Sequence, residues 1–203
     1  ALRTVICLSV FLLYRPWRWY ESARWKNVPL AVAVGLGVFV AWVLPETAWM
    51  GRNLPWLQDL YLKWGVMGFG SLPEWIEEPV TAATSPYAPG VCGWPLSIMR
   101  LVGSAFVIAI IEEFFWRGFL YRWLMQRKFT DVDLGRMQTG LFLLVAVFFG
   151  FEHVRWLAGI VAGLAYGWLI IRTRDIWAGC IAHVITNFVL AWYVLQTGHY
   201  AFW

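Results

Sequence analysis

Charge is what this sequence has least of. Of 203 residues, 14% are Asp, Glu, Lys or Arg and 61% are hydrophobic, whereas a soluble domain carries about 25% and about 45–50%. That balance argues against a soluble globule, and the apolar excess lies in long runs that argue for several membrane spans. Cysteine is also scarce. Cys7, Cys92 and Cys180 form no CxxC pair and no metal-ligand spacing. Cys7 and Cys180 sit in apolar runs and read as small core hydrophobes, while Cys92 lies in a polar loop and is assigned no role. No internal repeat, no second domain and no HExxH pair is present. There is no compact basic stripe either, so the formal charge of +4 is a topology signal and nucleic acid is excluded as a partner.

Tryptophan is abundant instead, with 16 copies, many near the ends of apolar runs where Trp anchors a span at the headgroups. The expected architecture is an all-α polytopic bundle, one integral-membrane domain over 1–203, with six spans at 2–13, 28–44, 96–121, 139–152, 156–171 and 176–195. The first is short, and the chain opens at Ala1 inside it without a small-residue cleavage site, which reads as a truncated or processed span rather than a signal peptide. Between spans two and three runs a Pro/Gly-punctuated loop, with an amphipathic piece over 56–67 suited to the bilayer interface. Basic residues gather after spans one, three and five: Arg15, Arg18, Arg24 and Lys26; Arg122, Arg127, Lys128 and Arg136; Arg172 and Arg174. Even alternation puts these three loops on one side, the cytoplasmic side by the positive-inside rule.

Against this background the run VIAIIEEFFWRGFL (107–120) is anomalous, because it buries two glutamates and an arginine in apolar sequence. A charge at mid-bilayer costs roughly 2.5–3.5 kcal/mol on insertion scales. Glu113 and Arg117 are i and i+4 on one helical face and can pair. Glu112 is turned by about 100° from Glu113, with no arginine at the matching offset. One glutamate is thus tied down while its neighbour is free to take a proton from water. The bland alternative is a pair that only fixes helix register. Two histidines weigh against it. FFGFEHVRW sets His153 one turn after Phe149, and CIAHVITNFVL sets His183 and Asn187 at i and i+4. Singly these are interhelical glue as often as function. Together, on three spans, ionisable groups at membrane depth are functional candidates.

The three patterns, EExxxR (112–117), FxxxH (149–153) and HxxxN (183–187), resemble in this order the motifs of the CPBP family, the relatives of type II CAAX prenyl endopeptidases and Abi-type proteins. The resemblance spans 96–195, the catalytic core. The wording EEFFWRGFLYRWL is also similar to the CAAX-protease-related subgroup that accompanies bacterial exosortase systems, which implies an exosortase-system partner. The family implies a glutamate-dependent endopeptidase of the bacterial inner membrane, acting on a membrane-associated peptide or protein. Glu112 would be the general base on water, and His153 would position that water. His183 and Asn187 would stabilise the oxyanion, with Glu113 and Arg117 as the supporting pair. The family implies no cofactor. Zinc on a Glu/His/His set is the metal-dependent alternative, disfavoured because the ligands are spread over three helices. A non-catalytic membrane scaffold and a proton-coupled transporter are the other readings. Intact motifs count against the first, and the missing repeat and broken helices against the second.

One expectation conflicts with the rest. A straight fourth span starting at Arg136 carries His153 about 25 Å from the basic edge, while Glu112 and His183 lie about 12–14 Å from it. Glu152 and Arg155, flanking His153, read as boundary charges facing water, and Gly159, Gly163 and Gly167 as a packing face.

Overall fold

The computed structural model describes residues 2–203, so the expectation about Ala1 lies outside the described residues. Among those described, every regular element is helical. Six helices form the body: α1 (Leu2–Tyr14), α2 (Val28–Val43), α3 (Trp94–Met125), α4 (Thr139–Phe151), α5 (Trp156–Thr173) and α6 (Ile176–Thr197). Each follows one of the apolar runs, as a lipid environment demands, because backbone N–H and C=O groups there must bond within the segment. The chain is a polytopic membrane protein with a helical bundle.

The spans are not equal, however. Among the described residues, four helical segments are long and apolar enough to cross a membrane: Trp25–Glu46, α3, α5 and α6. The first and fourth runs give shorter apolar helices. The 13 residues of α4 rise roughly 20 Å, against a hydrocarbon core of about 30 Å. The turn at 152–155 therefore comes early.

α6 lies at the centre, and its neighbours approach through small residues. A Cβ on Gly35 of α2 would stand 2.5 Å from the Ala182 carbonyl of α6. On α5, a Cβ at Gly159 would lie 2.9 Å from Gly150 Cα, and one at Gly163 3.1 Å from Ala146 Cα, both on α4. The glycine stripe is thus a backbone-to-backbone packing face. Asp175 caps α6 by accepting from the Trp177 amide at 3.0 Å, and Gly198 ends it in the left-handed region (φ 73°).

α3 is irregular where it matters. Wide π-helical turns at Gly103–Ile108 and Phe114–Leu120 flank the five α-helical residues Ala109–Glu113. Such turns loosen the backbone ladder and occur often at functional sites. Here each wide turn offers a carbonyl to a side chain: Ser104 O accepts from Asn187, and Gly118 O from Arg122.

The three basic loops meet at one end. Asp175 accepts from the Arg24 amide (3.1 Å) and from Asn27 Nδ2 (3.0 Å), Arg122 donates to the Tyr20 hydroxyl (3.2 Å), and Arg174 pairs with Asp133 (3.6 Å). At the other end the long loop folds into short helices, Ala48–Asn53 and Pro55–Leu60, then a wide turn, Tyr61–Gly65. Trp49, Trp56 and Trp64 point outward from it, consistent with an interfacial element.

Gly159→Ala is expected to lower stability by about 1–3 kcal/mol through overpacking, because its Cβ would meet Gly150 backbone rather than a side chain that can move. Gly37→Ala, with open space around it, is expected to leave the melting temperature in detergent unchanged.

Candidate active site

The geometry starts from Glu113. Its side chain is fully buried, and one oxygen, Oε1, accepts from both Arg117 Nη1 and His183 Nδ1 at 2.9 Å. Arg117, 4% exposed, also donates through Nη2 to the Gly163 carbonyl (3.1 Å) and lies over the Phe149 ring at 4.3 Å. One carboxylate thereby ties α3 to α6, and its arginine ties α3 to α5 and α4. The other oxygen, Oε2, has no hydrogen-bond partner among the described residues and faces Gly179, where a Cβ would stand 3.3 Å away.

This network fixes His183. An ionised carboxylate held by Arg117 can only accept, so Nδ1 of His183 carries the proton and Nε2 is turned the other way. Nε2 lies 3.8 Å from Glu112 Oε2. The ring stacks on Tyr166 (centroids 4.7 Å apart, 22° between planes), whose hydroxyl bonds to Thr186 Oγ1 at 2.7 Å, and Thr186 donates to the Gly35 carbonyl at 2.8 Å. Tyr166 and Thr186 were not candidates from sequence. A tyrosine among glycines (GLAYGW) was the available signal, but a core aromatic reads identically.

Glu112 behaves differently from its neighbour. Its side chain is 24% exposed and faces a cavity of about 570 Å³ whose walls include Ser104, Ile108, His153 and Asn187. It is not isolated, as the sequence suggested, since His183 Nε2 stands close by. Asn187 donates to the Ser104 carbonyl at 3.1 Å, so one of its two N–H bonds is already used. A second space of about 160 Å³, lined by His153, His183, Asn187, Trp42 and Tyr166, adjoins the first.

His153 does reach the site, and the reason is where α4 begins. The Tyr121 hydroxyl accepts from the Gln138 amide (3.0 Å) and donates to the Arg136 carbonyl (3.1 Å), which seats the start of α4 level with Tyr121. From that level Glu112 and Phe149 are each roughly 14–17 Å along their helices at 1.5 Å per residue. α4 then ends, and His153 follows in the turn. Its Nδ1 donates to the Phe149 carbonyl at 2.9 Å, which leaves Nε2 without a protein partner among the described residues. Trp42 meets the ring edge-on at 5.3 Å.

All three sequence patterns therefore converge on one site, and residues 94–189, which contain them, match the family described as type II CAAX prenyl endopeptidase Rce1-like. Over that stretch the helical core is similar to the Rce1-like family. No curated protein and no solved structure matches the chain. The Rce1-like family is one of membrane proteases, which agrees with a polar cavity among apolar helices.

Of the two charges flanking His153, Arg155 departs from expectation. Arg155 is 6% exposed rather than water-facing and forms a two-pronged pair with Glu46, also 6% exposed, with Nη2 to Oε2 at 2.8 Å. Glu152 is exposed but accepts from the Trp116 indole at 3.1 Å. Pairings across 109 and 36 residues leave no local signature in sequence.

Arg117→Ala would strand a fully buried carboxylate and is expected to cost about 3–5 kcal/mol of stability, measured by denaturant unfolding in micelles. Glu112→Gln, at the cavity edge, is expected to leave that transition in place.

Proposed function

We propose that this Rce1-like protein is a glutamate-dependent, metal-free intramembrane endopeptidase of a bacterial inner membrane, acting on a membrane-associated peptide. The observation that carries the reading is the contrast between adjacent glutamates: Glu113 is locked to Arg117 and His183, while Glu112 looks into the cavity that His153 and Asn187 share.

The chemistry runs as follows. A water in the cavity donates hydrogen bonds to the Glu112 carboxylate and to the free Nε2 of His153. As its oxygen attacks the scissile carbonyl carbon, one water proton passes to the Glu112–His183 pair, where 3.8 Å separates the two acceptors. A proton on His183 Nε2 turns that nitrogen into a donor, so His183 and the second N–H of Asn187 can stabilise the new oxyanion. Collapse breaks the C–N bond, and the same proton leaves with the amine. Glu113 stays ionised throughout and stabilises the imidazolium. A metal-free course is supported by the donor grouping: among the described residues, no three His, Cys, Asp or Glu side chains are grouped to hold an ion.

The test is cleavage of a bilayer-embedded peptide library by the purified protein, followed by mass spectrometry. Glu112→Gln is expected to abolish cleavage, and His153→Ala and His183→Ala to lower it by at least about tenfold, with no effect of a zinc chelator on the wild type. Loss of wild-type cleavage on chelation would replace this reading with a metal mechanism, and absence of cleavage by folded wild type would favour the scaffold.

A further inference from the structure

His153 is the one proposed catalytic group that does not stand on a helix. Its turn, 152–155, lacks a helical ladder, and groups carried on irregular backbone are held less sharply than groups on rigid elements. Yet a misplacement of about 1 Å at a catalytic group can cost about a hundredfold in rate. Something outside the turn must hold it.

The contacts that do so come from the loop before α3 and from the end of the chain, outside the family match at 94–189. The Val154 carbonyl accepts from the Met67 amide at 2.8 Å. Next to it, Arg155 grips Glu46 with two nitrogens and sends a third, Nη1, to the Ala201 carbonyl at 3.0 Å. The guanidinium is sandwiched between Trp75 (4.6 Å) and Phe202 (4.1 Å), and Trp75 in turn donates to Glu46 Oε2 at 3.1 Å. A planar five-donor fork can satisfy a carboxylate, a carbonyl and two ring faces at once, and an ammonium cannot. On the near side Trp116, one turn past Glu112, holds Glu152. The turn is thus pinned at the residues on both sides of His153.

We propose that Arg155 and Glu46 are positioning residues for His153, so that the loop at 46–75, rather than the motif-bearing helices alone, sets the geometry of the water-binding histidine. This rests on the reading of His153 as the group that holds the attacking water. It explains why a buried ion pair stands here at all. Burial of such a pair is weak as a source of stability, because desolvation offsets much of its attraction, but its fixed fork geometry holds backbone in place.

The experiment combines hydrogen exchange with steady-state kinetics on Glu46→Gln and Arg155→Lys, both at temperatures where the variants remain folded. Amides over 150–158 should exchange at least about tenfold faster, while α5 beyond 160 and α6 keep wild-type rates. In parallel kcat should fall about 10- to 100-fold, with KM within about twofold. Rescue is graded: Glu46→Asp, which keeps the charge, should recover more of kcat than Glu46→Gln. Unchanged exchange in the turn would overturn the clamp whatever the activity. Faster exchange with unchanged kcat would overturn the positioning role while leaving the protease reading intact. A folded wild type that cleaves nothing, with turn exchange still accelerated in both variants, would sink the catalytic reading and leave only a structural clamp.

Discussion

The buried contact of Glu113 with Arg117 and His183 is the constraint on which the rest depends. A carboxylate with no exposed surface cannot remain ionised in apolar surroundings unless cations or strong donors surround it. Arg117 supplies the charge and His183 the second donor, both on the same oxygen. From that requirement three helix positions follow. α6 must bring His183 to α3, α5 must leave a carbonyl open at Gly163 for the remaining guanidinium nitrogen, and α4 must present Phe149 to its face. The cavity walls and the core are therefore one set of contacts, and Glu113 is held within them while its neighbour Glu112 faces the cavity.

Backbone irregularity serves the same end. The wide turns on either side of Ala109–Glu113 disturb the ladder of α3 just where two adjacent glutamates must face different surroundings. A carbonyl released at Ser104 receives Asn187, orienting its amide, and one at Gly118 receives the buried Arg122. The glycines of α5 let α4 approach closely enough that a short helix ends beside the cavity instead of crossing past it. Helix shape and cavity chemistry cannot be varied separately here.

Much of this was legible in the sequence, and the reasons are specific. Apolar runs become helices because lipid leaves no alternative, so all six were visible. The i, i+4 pair of Glu113 and Arg117 and the 100° turn between the glutamates are local geometry, and both appear in the structure. The convergence of the three basic loops was readable from charge alone. What could not be read was pairing over distance. Nothing near Arg155 announces Glu46, and nothing near Tyr121 announces that it seats the start of α4. The apparent conflict over His153 came from running one straight helix from Arg136 through His153, whereas α4 spans only Thr139–Phe151 and His153 follows in the turn. Arg155 was misjudged because an arginine beside a span end normally reaches water, and only the folded loop shows it does not.

The account stands most directly on the proton at His183. Nitrogen NMR of the protein labelled at histidine, with His183 assigned by substitution, would show which ring nitrogen is protonated near neutral pH. The account predicts a stable proton on Nδ1, facing Glu113, and its loss to tautomer exchange in Glu113→Gln. A proton held on Nε2 with Nδ1 bare would contradict it, because Glu113 would then be neither the acceptor nor the anchor of the site.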